Sequence, residues 1–544
     1  MGRSADLVLA GGLVEPIAPR PASADAVAVT DGRISAVGTM AEVEGLIGPS
    51  TRVVRLNGET VLPGFQDAHN HAVYGGLMHT GCNLHDLPDE AAYLEAVRAW
   101  AEAHPELEWI VGDGWHYGTF SSPMPHRSAL DRAVPDRPVY LTAYDGHSAW
   151  ANTRALELAG IGPETADPEH GRFERDPDGM PTGMLVEDAT AVVDRLVPKP
   201  SHATLVQALL DSQRQLHSWG ITAWHDPAVN PEWLPAYREA LADGRLTARV
   251  VAAQQWQPWG RDPEADPLPR LLADREASRS VGLRSDVVKF FLDGVFESQT
   301  AYVLEPYLED GRPGANRSRP EYVQDELNTA VADLERHGFD CHFHAIGDAA
   351  VRQALDAVAA AREVNGPRDA RHSIAHIELI DPVDIPRFAE LGVAANMQPF
   401  WAHLDDETRD IQVPVIGPDR YDARYAFGDL FRARARLAIG SDWTVTTADP
   451  LQILEVAIRR IFPTRRDDPP WRPDQRLDLD TALAAATVGS AWVSRMETDS
   501  GTIEVGKRAD LVVLDRDLRA IPDGLLADAR VRLTFVAGET VYEG

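Results

Sequence analysis

Cysteine is nearly absent: the 544-residue chain has two, Cys82 and Cys341. One disulfide at most can form, so no disulfide framework holds the fold. Two scattered thiols suit a reducing, cytoplasmic setting. Long apolar runs are missing as well. No stretch approaches the ~20 apolar residues of a membrane span, and Leu7 to Val14 is too short for a secretion signal with its cleavage site. Basic residues are the minority, 52 Lys plus Arg against 84 Asp plus Glu, for a formal charge of −32. Such a surface repels phosphate backbones and anionic lipid heads, which argues against nucleic acid or membranes as partners. There is no Gly-x-Ser-x-Gly elbow and no Gly-x-x-x-x-Gly-Lys-[Ser/Thr], so neither a serine hydrolase nor a P-loop site is supported. No period of 20–50 residues recurs, so a solenoid is not supported.

What is present is ordinary for a soluble globular protein: 44% hydrophobic and 25% charged residues. The length suggests about two to four domains. The first sixty residues read as short strands. Ala5 to Leu9 and Ala26 to Thr30 are apolar runs, the turn dipeptide Asp31-Gly32 follows, and Arg33 to Val37 and Arg52 to Leu56 continue the pattern. Ala509 to Leu514 and Val531 to Val536, with Ala537-Gly538 as a turn, repeat it near the other end. Residues 1–60 and 495–544 are therefore expected to form one sheet module around a larger domain.

The middle alternates strands and helices. Eight candidate strands are Val61 to Gln66, Ile221 to Trp224, Arg249 to Ala253, Val287 to Leu292, Cys341 to His344, His372 to Ile377, Val393 to Met397 and Arg436 to Ile439. Segments such as Tyr322 to His337 and Asp348 to Val364 separate them as helices. This alternation predicts a (β/α)8 barrel over residues 61–73 and 200–494. A βα unit needs roughly 30 residues, yet about 150 separate the first two strands. Residues 74–199 are thus expected as an insertion at the carboxyl end of the first strand. That is the catalytic face of such barrels, so the insertion is placed to act as a lid. Its Gly-, Pro- and Asp-rich part, Gly160 to Gly183, reads as ordered loop.

His69-Asn70-His71 follows the first strand. In extended chain, residues i and i+2 share a face, so both imidazoles can reach one metal. With 18 His in 544 residues, about 0.6 such pairs arise by chance, and His342 and His344 form another. A hydrogen-bonded histidine at the barrel mouth is the ordinary reading of any one pair. Position adds weight, because the fifth strand ends in His344, the sixth in His376 and the eighth runs into Asp442. Lys289 lies among apolar residues of the fourth strand, where a bare ammonium is costly. An ion pair with Asp293 or Glu297, a neutral amine and a CO2-derived carbamate are all open to it.

These stretches carry a resemblance. Val61-Leu-Pro-Gly-Phe-Gln-Asp-Ala-His-Asn-His71, Asp145-Gly-His-Ser-Ala-Trp-Ala-Asn152, Pro181-Thr-Gly-Met-Leu-Val-Glu187, Lys289-Phe-Phe-Leu-Asp-Gly294, His344-Ala-Ile-Gly-Asp348, Gly440-Ser-Asp-Trp443 and Gly501-Thr-Ile-Glu-Val-Gly-Lys-Arg-Ala-Asp510 together span the chain. They resemble the amidohydrolase superfamily and, within it, the family 3 branch of YtcJ-like metal-dependent hydrolases, which includes N-substituted formamide deformylases. The resemblance implies an α/β chain with a TIM-like (β/α)8 barrel, a small β-sandwich built from both termini and a lid-like insertion after the first strand. It implies His69 and His71 on the more buried metal, His344 and His376 on the second, Lys289 as an N6-carboxylysine bridging both, and Asp442 as ligand and general base. Two zinc ions per subunit are the expected cofactors, although imidazole and carboxylate also accept iron, manganese or cobalt. The Ala-Ile-Gly-Asp stretch follows His344, which makes His344 the ligand. His342 then lies one layer deeper, against a ligand or in the core. His372 reads as structural.

The expected activity is hydrolysis of a linear amide C–N bond, an N-substituted formamide among the candidates, by water activated at the metal with Asp442 as base and then acid. The alternatives are cleavage of a carbamate, cyclic amide or ester, deamination on the same scaffold, and a metal-binding homologue without activity. Candidate substrate contacts are His147, Trp115, Trp443 and Gln398, with the two tryptophans as apolar walls. No Arg is placed at a strand's carboxyl end to clamp a carboxylate, and Arg371 and Arg436 begin strands at the opposite face. The expected partner is a small, neutral amide, and a homodimer is compatible with the sequence.

Overall fold

The computed structural model describes residues 4–17, 24–120, 124–257 and 266–544. Eight parallel strands follow in chain order around one sheet: Phe65–Asp67, Ile221–Val229, Arg249–Gln255, Val287–Phe291, Asp340–Ala345, Ser373–His376, Ala394–Met397 and Arg436–Ile439. Each is a short run buried on both faces, as parallel strands wrapped in helices require. The covering helices present apolar stripes at three- and four-residue spacing. Gln324–Arg336 buries Leu327, Val331 and Leu334, and Asp348–Asn365 buries Ala354, Leu355 and Val358. Among the described residues, no helix is long and apolar enough to cross a membrane. Cys82 and Cys341 are both buried and unpaired.

The sheet closes where the last strand meets the first. Ala68 N donates to Ile439 O at 2.9 Å, and Asp442 N donates to His69 O at 2.8 Å. Asp67 clamps this seam. Its Oδ1 accepts from Ser441 N (2.9 Å) and His69 N (3.1 Å), and its Oδ2 from Ser441 Oγ (2.6 Å) and Asn70 Nδ2 (2.8 Å). Gly440 permits the approach, because a Cβ there would lie 2.4 Å from His69 Cβ.

The first strand corrects the sequence reading. Val61 to Gln66 is not one barrel strand but two strands in different sheets. Thr60–Pro63 pairs antiparallel with Leu511–Leu514, while Phe65–Asp67 pairs with Ile221–Val229. Gly64 makes the switch: its N–H donates to Asp510 O at 2.9 Å, and a Cβ would lie 2.3 Å from Thr222 Oγ1. The terminal segments form one sheet of Leu7–Ala10, Ala26–Thr30, Arg33–Gly38 and Arg52–Arg55, and another of Leu13–Val14, Thr60–Pro63, Leu511–Leu514, Val531–Val536 and Glu539–Glu543. Leu7, Leu9, Val27 and Val29 of the first pack against Val61, Leu511, Val513 and Phe535 of the second.

The segment between the first two barrel strands carries its own six-stranded sheet. Its strands in spatial order are Gly171–Arg175, Pro181–Glu187, Ser148–Ala151, Val139–Ala143, Ile110–Trp115 and Cys82–Asn83. The loop reading of Gly160 to Gly183 is overturned here. Gly171–Arg175 and Pro181–Glu187 are an antiparallel hairpin, turned by Asp176 to Met180, where Asp176 N donates to Met180 O at 2.8 Å. The Gly, Pro and Asp content belongs to that turn and to the approach loop, and it masks Ile161 and Phe173, which the core uses.

Replacing Asp67 with Ala removes the acceptor from four buried donors. A loss of about 2–4 kcal/mol is expected, seen in scanning calorimetry as a lower midpoint for the barrel transition. A variant that melts with the unaltered protein would show that the seam holds without the clamp.

Candidate metal centre

The carboxyl ends of the first and eighth strands bring His69, His71 and Asp442 together. His69 Nε2 lies 3.3 Å, and His71 Nε2 3.0 Å, from Asp442 Oδ1. One ligand atom from each of the three falls within 4.8 Å of the others. His376, ending the sixth strand, has Nδ1 3.8 Å from Asp442 Oδ2, and its ring lies 5.0 Å from that of His69. His344, from the fifth strand, stands with its ring 4.5 Å from His376. Its Nε2 is 3.3 Å from the Gly294 carbonyl oxygen, which leaves Nδ1 as the nitrogen that can face a cation. His376 and Asp442 hold φ of +76° and +55°, a region that costs ordinary residues of order 1–3 kcal/mol and clusters at functional sites.

Electrostatics favour cation binding. Burial, reinforced by neighbouring positive groups, lowers His69 and His344 well below the usual imidazole range, and burial does the same to His376. These rings are neutral and offer lone pairs, the form a metal binds. Burial would raise Asp442, but the bond from His71 and the charges of His376, His71 and Lys289 outweigh it and hold the carboxyl at about 2. His71 Nδ1 and His376 Nδ1 are buried without a hydrogen-bond partner. Each such atom costs about 1–3 kcal/mol. A cation held by imidazole and carboxylate satisfies donors of this kind, so the residues present fit a zinc-type ion.

Lys289 is 1% exposed, and its Nζ sits 4.7 Å above the Phe291 ring. Burial lowers it to about 7 against the pull of Asp442 and Asp226. The ion-pair alternative does not hold among the described residues. Asp293 accepts from the N–H groups of Tyr302, Ile346 and Gly347, and Glu297 accepts from Gln412 Nε2 at 2.7 Å.

The inserted sheet contributes one group. The His147 ring lies 5.1 Å from that of His344. Glu187 Oε2 is 2.9 Å from His147 Nδ1, and Glu187 Oε1 accepts from Thr300 Oγ1 at 2.6 Å. His147 N donates to Asp145 Oδ1 at 3.0 Å. Burial would lower His147, but the Glu187 carboxylate overrides it and raises the imidazole to about 9.

Three of the expected substrate contacts are engaged in packing or in bonds to neighbouring residues. Trp115 is fully buried inside the insertion, its Nε1 donating to Leu141 O at 2.8 Å and its ring against Tyr117 and Phe120. Trp443 packs edge-on to Trp219 and against Gly75 in the helical layer. Gln398 is buried and spends Oε1 on His376 N at 2.8 Å and Nε2 on Asn396 at 3.2 Å, so it holds the His376 backbone. The aromatic groups at the centre are different ones. The Trp401 ring stacks on His376 at 5.4 Å and 9°, and Phe291 lies 5.7 Å from His344. Asn152 caps the helix Thr153–Leu158 through Ala155 N. His372 accepts from Cys341 N at 3.0 Å, a structural bond.

The Amidohydrolase family profile matches residues 52–542. The chain is 30% identical to Protein LONG AFTER FAR-RED 3 of Arabidopsis thaliana, covering 99% of this chain and 92% of that one. It is 28% identical to an N-substituted formamide deformylase of Arthrobacter pascens, covering 100% and 99%. Among solved structures, an uncharacterized metal-dependent hydrolase from Pyrococcus horikoshii OT3 shares the fold with a TM-score of 0.73 at 24% identity, covering 95% of this chain and 99% of that one.

The His147–Glu187 pair has a pH signature. His147 is raised from 6.5 to about 9 in the fold, so its contribution to stability is complete below pH 6.5 and is lost as pH rises through 9. In metal-stripped protein, the thermal midpoint is expected to fall across that window, and Glu187→Gln should flatten the fall. Identical slopes in the two proteins would remove the pair as its source.

Proposed function

The chain belongs to the amidohydrolase family, and on that premise we propose that it is a metal-dependent hydrolase cleaving a linear amide C–N bond, an N-substituted formamide being the leading substrate. The carrying observation is the convergence of His69, His71 and Asp442 at one barrel end, with buried, unpartnered ring nitrogens on His71 and His376. The similarity to an N-substituted formamide deformylase supports the substrate class.

In this reading His69, His71, His344, His376, Asp442 and a carboxylated Lys289 hold two zinc ions. Bound there, the metal polarises a carbonyl and lowers the pKa of water. Asp442, ionised throughout the neutral range, takes the proton of the attacking water and returns it to the leaving nitrogen. The two events balance: a C–O bond forms, the C–N bond breaks, and the proton ends on the amine. His147 reaches the same end of the barrel from the insertion and is placed to face the substrate carbonyl, with Glu187 orienting its ring. Trp401 and Phe291 replace Trp115 and Trp443 as the apolar walls. The insertion meets the barrel's loops through Glu187 to Thr300 and through Arg172 Nη1 to Ser298 O, which supports its role as a cover.

Substrate charge follows from the arginines. Arg371 binds Glu497 and Trp492 O, away from the centre. Arg424 does come close, because its partner Glu378 lies two residues past His376. It is buried, ion-paired to Glu378 at 2.9 Å and stacked on Tyr421, so its charge is already matched. A neutral amide fits this better than an anionic one.

Asp442→Asn should retain the fold and metal while turnover falls by about 100-fold or more. Near-normal turnover in that variant removes the general-base role. Zinc-loaded protein is to be tested on formamides, acylamides, carbamates, esters and N-acyl amino acids. Neutral formamides are expected to lead. A tenfold preference (~1.4 kcal/mol) for carboxylate-bearing amides would overturn the charge argument.

Lys289→Ala should lose zinc and recover part of it with bicarbonate or a short carboxylic acid. Native mass measurement should show the gain of one CO2 in the zinc-loaded chain. An active, zinc-loaded protein with an unmodified Lys289 rules out the carbamate.

A further inference from the structure

We propose that His342 is a positioning residue that sets the tautomer of His69, accepting the Nδ1–H of that ring and so committing its Nε2 lone pair to the cation. The inference rests on reading the centre as a metal site.

His342 and His344 lie two apart on the strand Asp340–Ala345 and so share its inner face. His344 is at the rim, and His342 is one layer deeper and fully buried. Both of its nitrogens are engaged. Nε2 is 3.0 Å from His69 Nδ1, and Nδ1 is 2.8 Å from Ser373 Oγ. Among the described residues, the other imidazole beside it, His225 at 5.1 Å between ring centroids, has no hydrogen bond on either nitrogen. Among the described residues, His69 and Ser373 are therefore the partners that decide where the His342 proton sits.

A neutral imidazole carries one N–H. His69 Nε2 faces Asp442 Oδ1 at 3.3 Å, with His71 and His376 beside it. To bind a cation there, that nitrogen must be bare, so the proton is on Nδ1. His342 Nε2 must then accept, its own proton must be on Nδ1, and Ser373 Oγ must accept it. With the opposite order, His342 Nε2 would donate, and His69 would point an N–H at the place where the cation belongs. One arrangement of this chain admits a metal and the other excludes it.

The other half of the centre avoids this ambiguity. His344 Nε2 meets the Gly294 carbonyl, which can only accept, so its tautomer follows automatically. His69 lacks such a backbone partner. A carboxylate at position 342 would also accept, but it would place a further buried anion beneath the site. A neutral imidazole anchored by a serine performs the same orientation without adding charge. Partners of this kind commonly change metal affinity by about 10–100-fold.

The test compares Zn2+ affinity, by chelator competition, in the unaltered chain, His342→Leu, His342→Gln and Ser373→Ala, with the melting of each stripped protein measured in parallel. His342→Leu should bind Zn2+ about 10–100-fold more weakly. His342→Gln, whose amide oxygen can still accept from His69 Nδ1, should recover most of that loss, and Ser373→Ala should fall between them. The affinities should not track the melting of the stripped proteins, as they would for a residue that only fills space. Unaltered Zn2+ binding in His342→Leu, or equal losses in the Leu and Gln variants, overturns the proposal. If His342→Leu does not fold, Ser373→Ala against His342→Gln decides, and unaltered binding in Ser373→Ala overturns the serine-anchored tautomer. Failure of the unaltered chain to retain Zn2+ is a separate result: it removes the metal centre itself and this inference with it.

Discussion

Closure of the barrel at one seam is the constraint on which the centre depends. His69 and His71 come from the start of the sheet and Asp442 from its end, so they meet only if the first and last strands are joined. Backbone bonds from Ala68 and Asp442 make the join, but they are few, because Phe65–Asp67 is a short strand. Asp67 supplies the rest by gathering four donors from both sides. Burial pushes its carboxyl up to about 6 in spite of those bonds. A costly buried acid is tolerated where it fixes the distance between the residues of the candidate centre.

The second requirement is that the donors stay neutral and oriented while buried. Desolvation does the first part, holding the rings of His69, His344 and His376 far below their usual range. Orientation needs fixed partners. Gln398 holds His376 through its backbone N–H, the Gly294 carbonyl holds His344, and Glu187 holds His147. The left-handed backbone at His376 is stored strain that the Gln398 bond maintains.

Patterning alone locates the barrel because a parallel strand buried on both faces is a short apolar run ending in polar residues, and the runs ending at His344, His376 and Ile439 have that form. It fails at Val61 to Gln66, where one apolar run crosses from one sheet to another at Gly64 without any change in hydropathy. It also fails at Gly160 to Gly183, where turn residues conceal a hairpin. Residue type is a poor guide to pocket walls: Trp115 and Trp443 have the chemistry of a wall, but only tertiary packing shows that they sit in the insertion core and the helical layer. Trp401 and Phe291 carry no local mark that separates them from core aromatics. Glu187 could have been singled out, because it ends a stretch of the family resemblance and is an acid on a strand of otherwise buried, largely apolar residues.

The insertion makes the site a joint product of two folded units. Its sheet has its own core on both faces, with Leu141 and Val186 on one and Leu185 and Val193 on the other, so its internal packing does not depend on the barrel. It meets the barrel through polar contacts, Glu187 to Thr300, Arg172 to Ser298 and the His147 ring against His344, and through the apolar Ile411 of the helix Asp406–Ile416, which packs against the insertion core. Because His147 is carried on the insertion, the contact between the two units also completes the polar surroundings of His344.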